Sequence, residues 1–248
     1  MRVVTEPGQI RMQRRVVLAM FEGRAMAIDG AKLDEIIKIL EVAHNCAVQR
    51  GVRSEEIYQR ANLSYYRKLR SARAEGKPIV AISMLEPAEL LEAMDIVPLR
   101  VEYIGPAAAV MTGNTEEPLN AARAFGYRAE SCSIDRYIAG AFLLGWLPMP
   151  DAYVRGSMVC DATFRRGDVV GMLFNCPTFD LDVPYHDSAS ALEYYLKQMK
   201  ELVAFLETIG KCKMDLVIEH EAIEQSGADT EGVRSKLESL FERLGNSN

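Results

Sequence analysis

"KPIVAISMLEPAELLEAMDIVPLRVEYI", residues 77–104, decides the fold. It opens on a short run rich in β-branched residues and passes into "EPAELLEAMD", where Pro87 suits a first helical turn with carboxylates around it. "IVPLRVEYI" then reads as a second strand. A strand, a short helix and another strand make one βαβ unit, and such a unit needs parallel strands.

The alternation continues outward from that unit. Residues 105–118, "GPAAAVMTGNTEEP", are rich in small residues and read as a loop long enough to bind something. "LNAARAFGY" reads as a short helix, "CSIDRYIAGAFLLGWL" as a longer apolar one, and "DAYVRGSMVC" as a strand. "DATFRRGDVVGML" begins a further helix or turn, and "TFDLDVP" is a last strand. Strands that look buried and alternate with helices argue for a parallel Rossmann-like or flavodoxin-like α/β sheet, flanked by helices on both faces.

Both ends of the chain read as helix. "RMQRRVVLAMFEGRAMA" and "KLDEIIKILEVAHNCAVQRG" carry apolar residues at three- and four-residue spacing, as at Leu33, Ile36, Ile37 and Leu40. Ser54, with a carboxylate close behind, reads as the N-cap of a third helix that Gly76 closes. From Ser188 the chain is charged and helical again, in "ASALEYYLKQMKELVAFLETIG", "MDLVIEHEAIEQSG" and "TEGVRSKLESLFERLG". The expected organisation is a helical extension over 1–76, an α/β domain over 77–187 and a helical segment over 188–248.

Composition narrows the function. The 248 residues are 49% hydrophobic and 26% charged, an ordinary globular balance with enough apolar material for a sizeable core. Lys plus Arg is 29 against 35 Asp plus Glu, for a formal net charge of −6. An acidic chain without a concentrated basic stripe is a poor nucleic-acid binder. "YYRKLRSAR", Tyr65 to Arg73, is the nearest thing to one and reads as the solvated face of a helix. No signal-peptide pattern opens the chain, and the longest apolar stretch is cut by Gly145 and Pro148. The expectation is a cytoplasmic protein that meets neither nucleic acid nor membrane.

The five cysteines, at 46, 132, 160, 176 and 212, are odd in number and widely spaced in a chain too large to need disulfide staples. Cys132 stands at a helix start, with Ser131, Ser133 and Asp135 available as caps, a position suited electrostatically to a reactive or metal-ligating sulfur. Cys160 stands where a strand gives way to Asp161, a candidate N-cap, on the strand edge where open parallel sheets bind ligands. The two are separated by 160 − 132 = 28 residues, about one helix plus one strand, so they can arrive at the same rim. Spacing alone leaves plain thiols as the alternative, because no CxxC, zinc-type Cys/His pair or ferredoxin run is present. Without a closed four-ligand set, zinc is disfavoured.

Five motifs, in order, add to this: "EPAELLEAMDIVPLR", "CSIDR" with its apolar helix, "MVCDAT", "FDLDVPY" and "FLETIG". Together they resemble the 2-hydroxyacyl-CoA dehydratase D-component family, which also includes subunits of ATP-dependent benzoyl-CoA reductases. The resemblance implies a [4Fe-4S] cluster held by three cysteines, with Cys132 and Cys160 as the first two ligands. It also implies an oxygen-sensitive heterodimer and an ATP-hydrolysing iron–sulfur activator that donates one electron. In the dehydratases that electron makes a ketyl radical of the acyl-CoA thioester, acidifies the β-hydrogen and lets the 2-hydroxyl leave. Family members continue into a second α/β half that supplies the third cysteine. Neither Cys176 nor Cys212 matches it, so the chain is expected to be an N-terminal half, or a subunit whose partner completes the site. The alternatives are a benzoyl-CoA reductase-type subunit, or a non-catalytic assembly module of the same fold that lacks a complete cluster.

Other residues carry weaker signals. Glu89 is either a substrate-facing carboxylate or a first-turn acid favoured by the helix dipole. Arg136 suits a cluster sulfide, a CoA phosphate or a surface ion pair. His44, His186 and His220 are scattered, and Trp146 reads as core. No GxxxxGK[ST] or GxGxxG is present, and no Ser/His/Asp nucleophile signature.

Overall fold

The computed structural model describes residue 30 and residues 32–157, 160, 162–186 and 188–210. The helices expected over 11–27 and beyond 210 lie outside the described residues, as does Asp161. Two antiparallel helices, α1 (Leu33–Arg50) and α2 (Arg53–Ser71), lead into strand β1 (Ile79–Ile82). Helix α3 (Ala88–Ala93) and strand β2 (Val97–Arg100) complete the βαβ unit legible at 77–104. Three helices follow, α4 (Val101–Thr112), α5 (Glu116–Phe125) and α6 (Ser133–Leu143), before strand β3 (Ala152–Gly156). Helix α7 (Ala162–Phe174), strand β4 (Thr178–Leu181) and helix α8 (Ala189–Ile209) end the described chain.

The four strands pair in parallel in the order β2-β1-β3-β4, with Ile79 opposite Val97, Val80 opposite Ala152 and Tyr153 opposite Thr178. Because side chains alternate along a strand, β1 feeds two cores. Ile79 and Ala81 pack with Val97, Leu99 and Tyr153 under α1, α2, α4 and α6. Val80 and Ile82 pack with Ala152, Val154 and Leu181 under α3 and α8, whose Leu202 and Leu206 are wholly buried. Burial on both sides explains why "IVAI" is a continuous apolar run rather than an alternating one. Pro98 has no N–H to give, and β2 is an edge strand, where that loss is tolerated. The Tyr65 hydroxyl covers the edge: it donates to the Pro98 carbonyl at 3.1 Å and accepts the Arg100 N–H at 3.0 Å.

Three sequence expectations change. The loop expected over 105–118 is largely helix, because α4 runs from Val101 to Thr112 with Pro106 inside it. Val101, Ile104, Gly105 and Ala108 are its buried face. That i, i+3, i+4, i+7 spacing outweighs the single backbone hydrogen bond Pro106 removes. The strand expected over 96–104 therefore stops at Arg100. The N-cap of α2 is Val52, one residue before the helix begins, so Ser54 lies within the first turn. Other readings hold: Trp146 is buried, and the basic face of α2 is a solvated one, with Arg67 on Glu41 and Arg70 on Asp34 stitching α2 to α1. Among the described residues, no helix is long and apolar enough to cross a membrane.

Helix α8 begins at a true side-chain cap, the Ser188 hydroxyl accepting the Ala191 N–H at 3.1 Å. Ser188→Ala should cost about 1 kcal/mol, read as a fall in Tm of about 2–4 °C. An unchanged Tm would mean that burial of Leu202 and Leu206 alone fixes where α8 starts.

Candidate active site

In the order β2-β1-β3-β4 the chain leaves β1 in one direction and returns beyond it in the other, so the switch point lies between β1 and β3. Open α/β sheets bind ligands in the crevice past the carboxyl ends of such strands. There the chain gives Ser83 and Glu86 after β1, Glu102 just after β2, and Gly156 and Ser157 at the end of β3. A cleft of about 360 Å³ beside Arg73 and Asp151 sits at the opposite edge, where β1 and β3 begin.

The centre of the rim is Arg166 of α7, only 1% exposed. Its Nε donates to the Tyr153 hydroxyl at 2.9 Å, and its two terminal nitrogens reach the Asp135 carboxylate, the Glu102 carboxylate at 2.5 Å and the Ser83 hydroxyl at 3.3 Å. A guanidinium is the cation whose fork can serve several acceptors at once. Burial works to raise the Asp135 carboxyl above the usual range while Arg166 opposes it; the rise prevails. Glu86 is also buried. One carboxylate oxygen accepts the Gly156 N–H, and the other has no partner among the described residues. Burial, with Glu102 nearby, pushes its carboxyl up as well. Gly156 must be glycine for this contact: a Cβ there would stand 2.7 Å from Glu86 Oε1.

The Asp135–Arg166 pair joins the two helices that follow Cys132 and Cys160. Asp135 does not cap α6; it turns inward to Arg166 and fastens the first turn of α6 to α7. Cys132 is the N-cap residue of α6, and Cys160 stands just before α7. Both are exposed. Helix α7 starts from the end of β3, and α6 ends where the chain turns back towards the start of β3, so both helix starts face the carboxyl rim. The Cys160 carbonyl accepts the Thr163 N–H at 3.0 Å, and the Thr163 hydroxyl stands 2.8 Å from that carbonyl and 3.1 Å from the Gly156 carbonyl.

The other cysteines lie elsewhere. Cys176 precedes β4, on the opposite edge of the sheet rather than near the rim, and burial pushes its thiol up to about 11. Cys46 is exposed on α1, and Cys212 lies outside the described residues. Thiolates are the usual ligands of iron–sulfur clusters, and Cys132 and Cys160 each offer an exposed thiol at a helix start on this rim. A cluster on three cysteines needs one more, and among the described residues no group of three His, Cys, Asp or Glu side chains is placed to hold a metal. These residues fit part of a cluster's ligand set and not the whole of it. Of the remaining candidates, Arg136 donates to the Ser131 carbonyl at 3.1 Å, and His186 is exposed past β4.

Two hollows open on this rim. The larger, about 760 Å³, lies between α2 and the strand ends and is lined in part by Lys68, Ser83, Glu89, Arg100, Glu102 and Tyr103. The smaller, about 260 Å³, is lined by Ser83, Glu86, Gly156 and Thr163 together with Leu85, Leu181, Val183 and Tyr195. Glu89 is thus both a first-turn acid of α3 and part of a cleft wall. Sequence reading did not find Ser83, Glu86, Glu102, Tyr153 or Arg166. The available signal was Thr163, Arg166 and Val170, polar and apolar residues sharing one helical face.

No curated protein matches the chain. The model of one family does, over residues 84–246, which take in Glu86, Glu102, Asp135, Gly156 and Arg166 of the rim and the five motifs; the chain belongs to the 2-hydroxyglutaryl-CoA dehydratase D-component family.

Proposed function

We propose that the chain is the N-terminal half, or a subunit, of an iron–sulfur 2-hydroxyacyl-CoA dehydratase, with Cys132 and Cys160 as two of three thiolate ligands to a [4Fe-4S] cluster. The observation that supports this reading is the family match, together with two exposed thiols at the starts of helices that a buried Asp135–Arg166 ion pair joins. When bound, the cluster would supply low-potential one-electron transfer. The third ligand comes from outside the described residues, and a second subunit and an ATP-dependent activator complete the system.

The chain's own residues bind and orient. The larger hollow beside Glu89 and Arg100 takes the body of the thioester, and Ser83 lies on the wall of both hollows. The Arg166 network keeps the strand ends fixed around the ligand, so little reorganisation is needed when it binds.

The test is anaerobic reconstitution of the full complex with iron and sulfide. Wild type should turn brown, absorb in the charge-transfer region and give a cluster signal in electron paramagnetic resonance after reduction. Cys132→Ser and Cys160→Ser should each lower bound iron severalfold, whereas Cys176→Ser should leave it near wild type. Unchanged iron in both rim variants would sink the ligand assignment. A colourless chain that still binds a cluster-bearing partner would make it an assembly module instead.

A further inference from the structure

The two hollows meet at Ser83 but differ in size and chemistry. At about 760 Å³ the larger lies within the ~300–1,000 Å³ of pockets that enclose a whole small molecule. At about 260 Å³ the smaller falls below that span and suits one group of a ligand.

Its wall holds an unmet need. Glu86 is only 7% exposed, and its second carboxyl oxygen has no partner among the described residues. A buried polar atom without a partner is costly, so a ligand that brings one to it gains affinity. An ionised Glu86 accepts from a ligand hydroxyl, and a protonated one donates to a ligand carbonyl. Ser83 lines the same hollow with a hydroxyl. The rest of the wall is hydrocarbon: Leu85, Leu181, Val183 and the body of Tyr195.

Charge decides what is kept out. Among the described residues, no Lys, Arg or His lines the smaller hollow. Arg166 reaches Ser83, but its nitrogens already serve Asp135, Glu102 and Tyr153. A carboxylate entering here would lose its water, meet Glu86 and find no uncommitted cation.

We infer that the smaller hollow is an acyl-recognition subsite that takes a short, uncharged aliphatic acyl group, its oxygen-bearing end at Ser83 and Glu86, and rejects an acyl group ending in a carboxylate. This rests on the acyl-CoA reading above. Glu86 is then a specificity residue, and Val183 forms part of the wall around the hydrocarbon end.

Calorimetric titration of the full chain with 3-methylbutanoyl-CoA and with glutaryl-CoA tests it. Wild type should bind the branched thioester at least tenfold more tightly. Glu86→Gln, checked for folding by circular dichroism, should tighten glutaryl-CoA severalfold and so narrow the gap. If that variant does not fold, Val183→Lys supplies the missing cation from the half-exposed wall and should do the same. Equal or tighter glutaryl-CoA binding by wild type overturns the subsite and leaves the acyl-CoA reading standing. An unaltered gap in a folded variant overturns the role of Glu86. Binding of neither thioester overturns both readings.

Discussion

Replacing Arg166 with methionine should lower the stability of the fold by about 3–5 kcal/mol, the usual cost of removing one partner from a buried ion pair. Methionine is close in volume, so the loss is electrostatic rather than a cavity. Asp135 and Glu102 would be left beside each other with side chains only 8% and 11% exposed and no cation between them. The deficit should also depend on pH. Arg166 is what opposes the upward pull of burial on the Asp135 carboxyl, so without it that carboxyl rises further above its unfolded value. The folded variant then binds more protons than the unfolded chain, and stability falls as pH rises from the unfolded value through the raised folded one. Urea melts at pH 5 and pH 8 should therefore show the larger deficit at pH 8. A pH-independent loss would mean that packing, not charge, is what Arg166 supplies. Adding Asp135→Leu and Glu102→Leu should recover most of the loss, because an apolar network no longer strands a charge.

Gly140→Ala should cost about 3 kcal/mol, against the helix's own preference. Inside an isolated helix, alanine is favoured over glycine by about 1 kcal/mol. In α6, however, a Cβ at 140 would stand 1.8 Å from the Pro118 carbonyl oxygen and 2.5 Å from its carbon. These are backbone atoms of α5, so no rotamer change can relieve the contact, and the two helices must part. Overpacking of this kind outweighs the propensity gain. Because α6 also carries Cys132 and Asp135, separation should disturb the rim as well as the melt. A variant as stable as wild type would show that α5 shifts freely.

Much of this architecture was open to reading before any coordinates. Residues 77–100 gave the βαβ unit because β-branched runs, a proline at a helix start and continuous apolarity are local properties. The motifs around Cys132 and Cys160 pointed to the family for the same reason, since short ordered patterns survive without knowledge of contacts. Helix α4 was missed because Gly105 and Pro106 are locally helix-breaking; their cost is met by burying Val101, Ile104 and Ala108 against the sheet. The site's polar centre was missed for a related reason. Arg166, Glu102 and Glu86 are, in sequence, ordinary charged residues of a chain that is 26% charged.

What the sequence determined by itself is the alternation of strands and helices, the parallel sheet that follows from it and the family. Periodicity and motif order are written residue by residue. Only the tertiary structure decided that Asp135 turns from a possible cap to a buried counter-ion, that Cys176 sits on the far edge, and that Glu86 keeps an oxygen without a partner among the described residues. Each of those is a matter of what lies opposite in space, where burial strips away water and makes a single missing or present partner decisive.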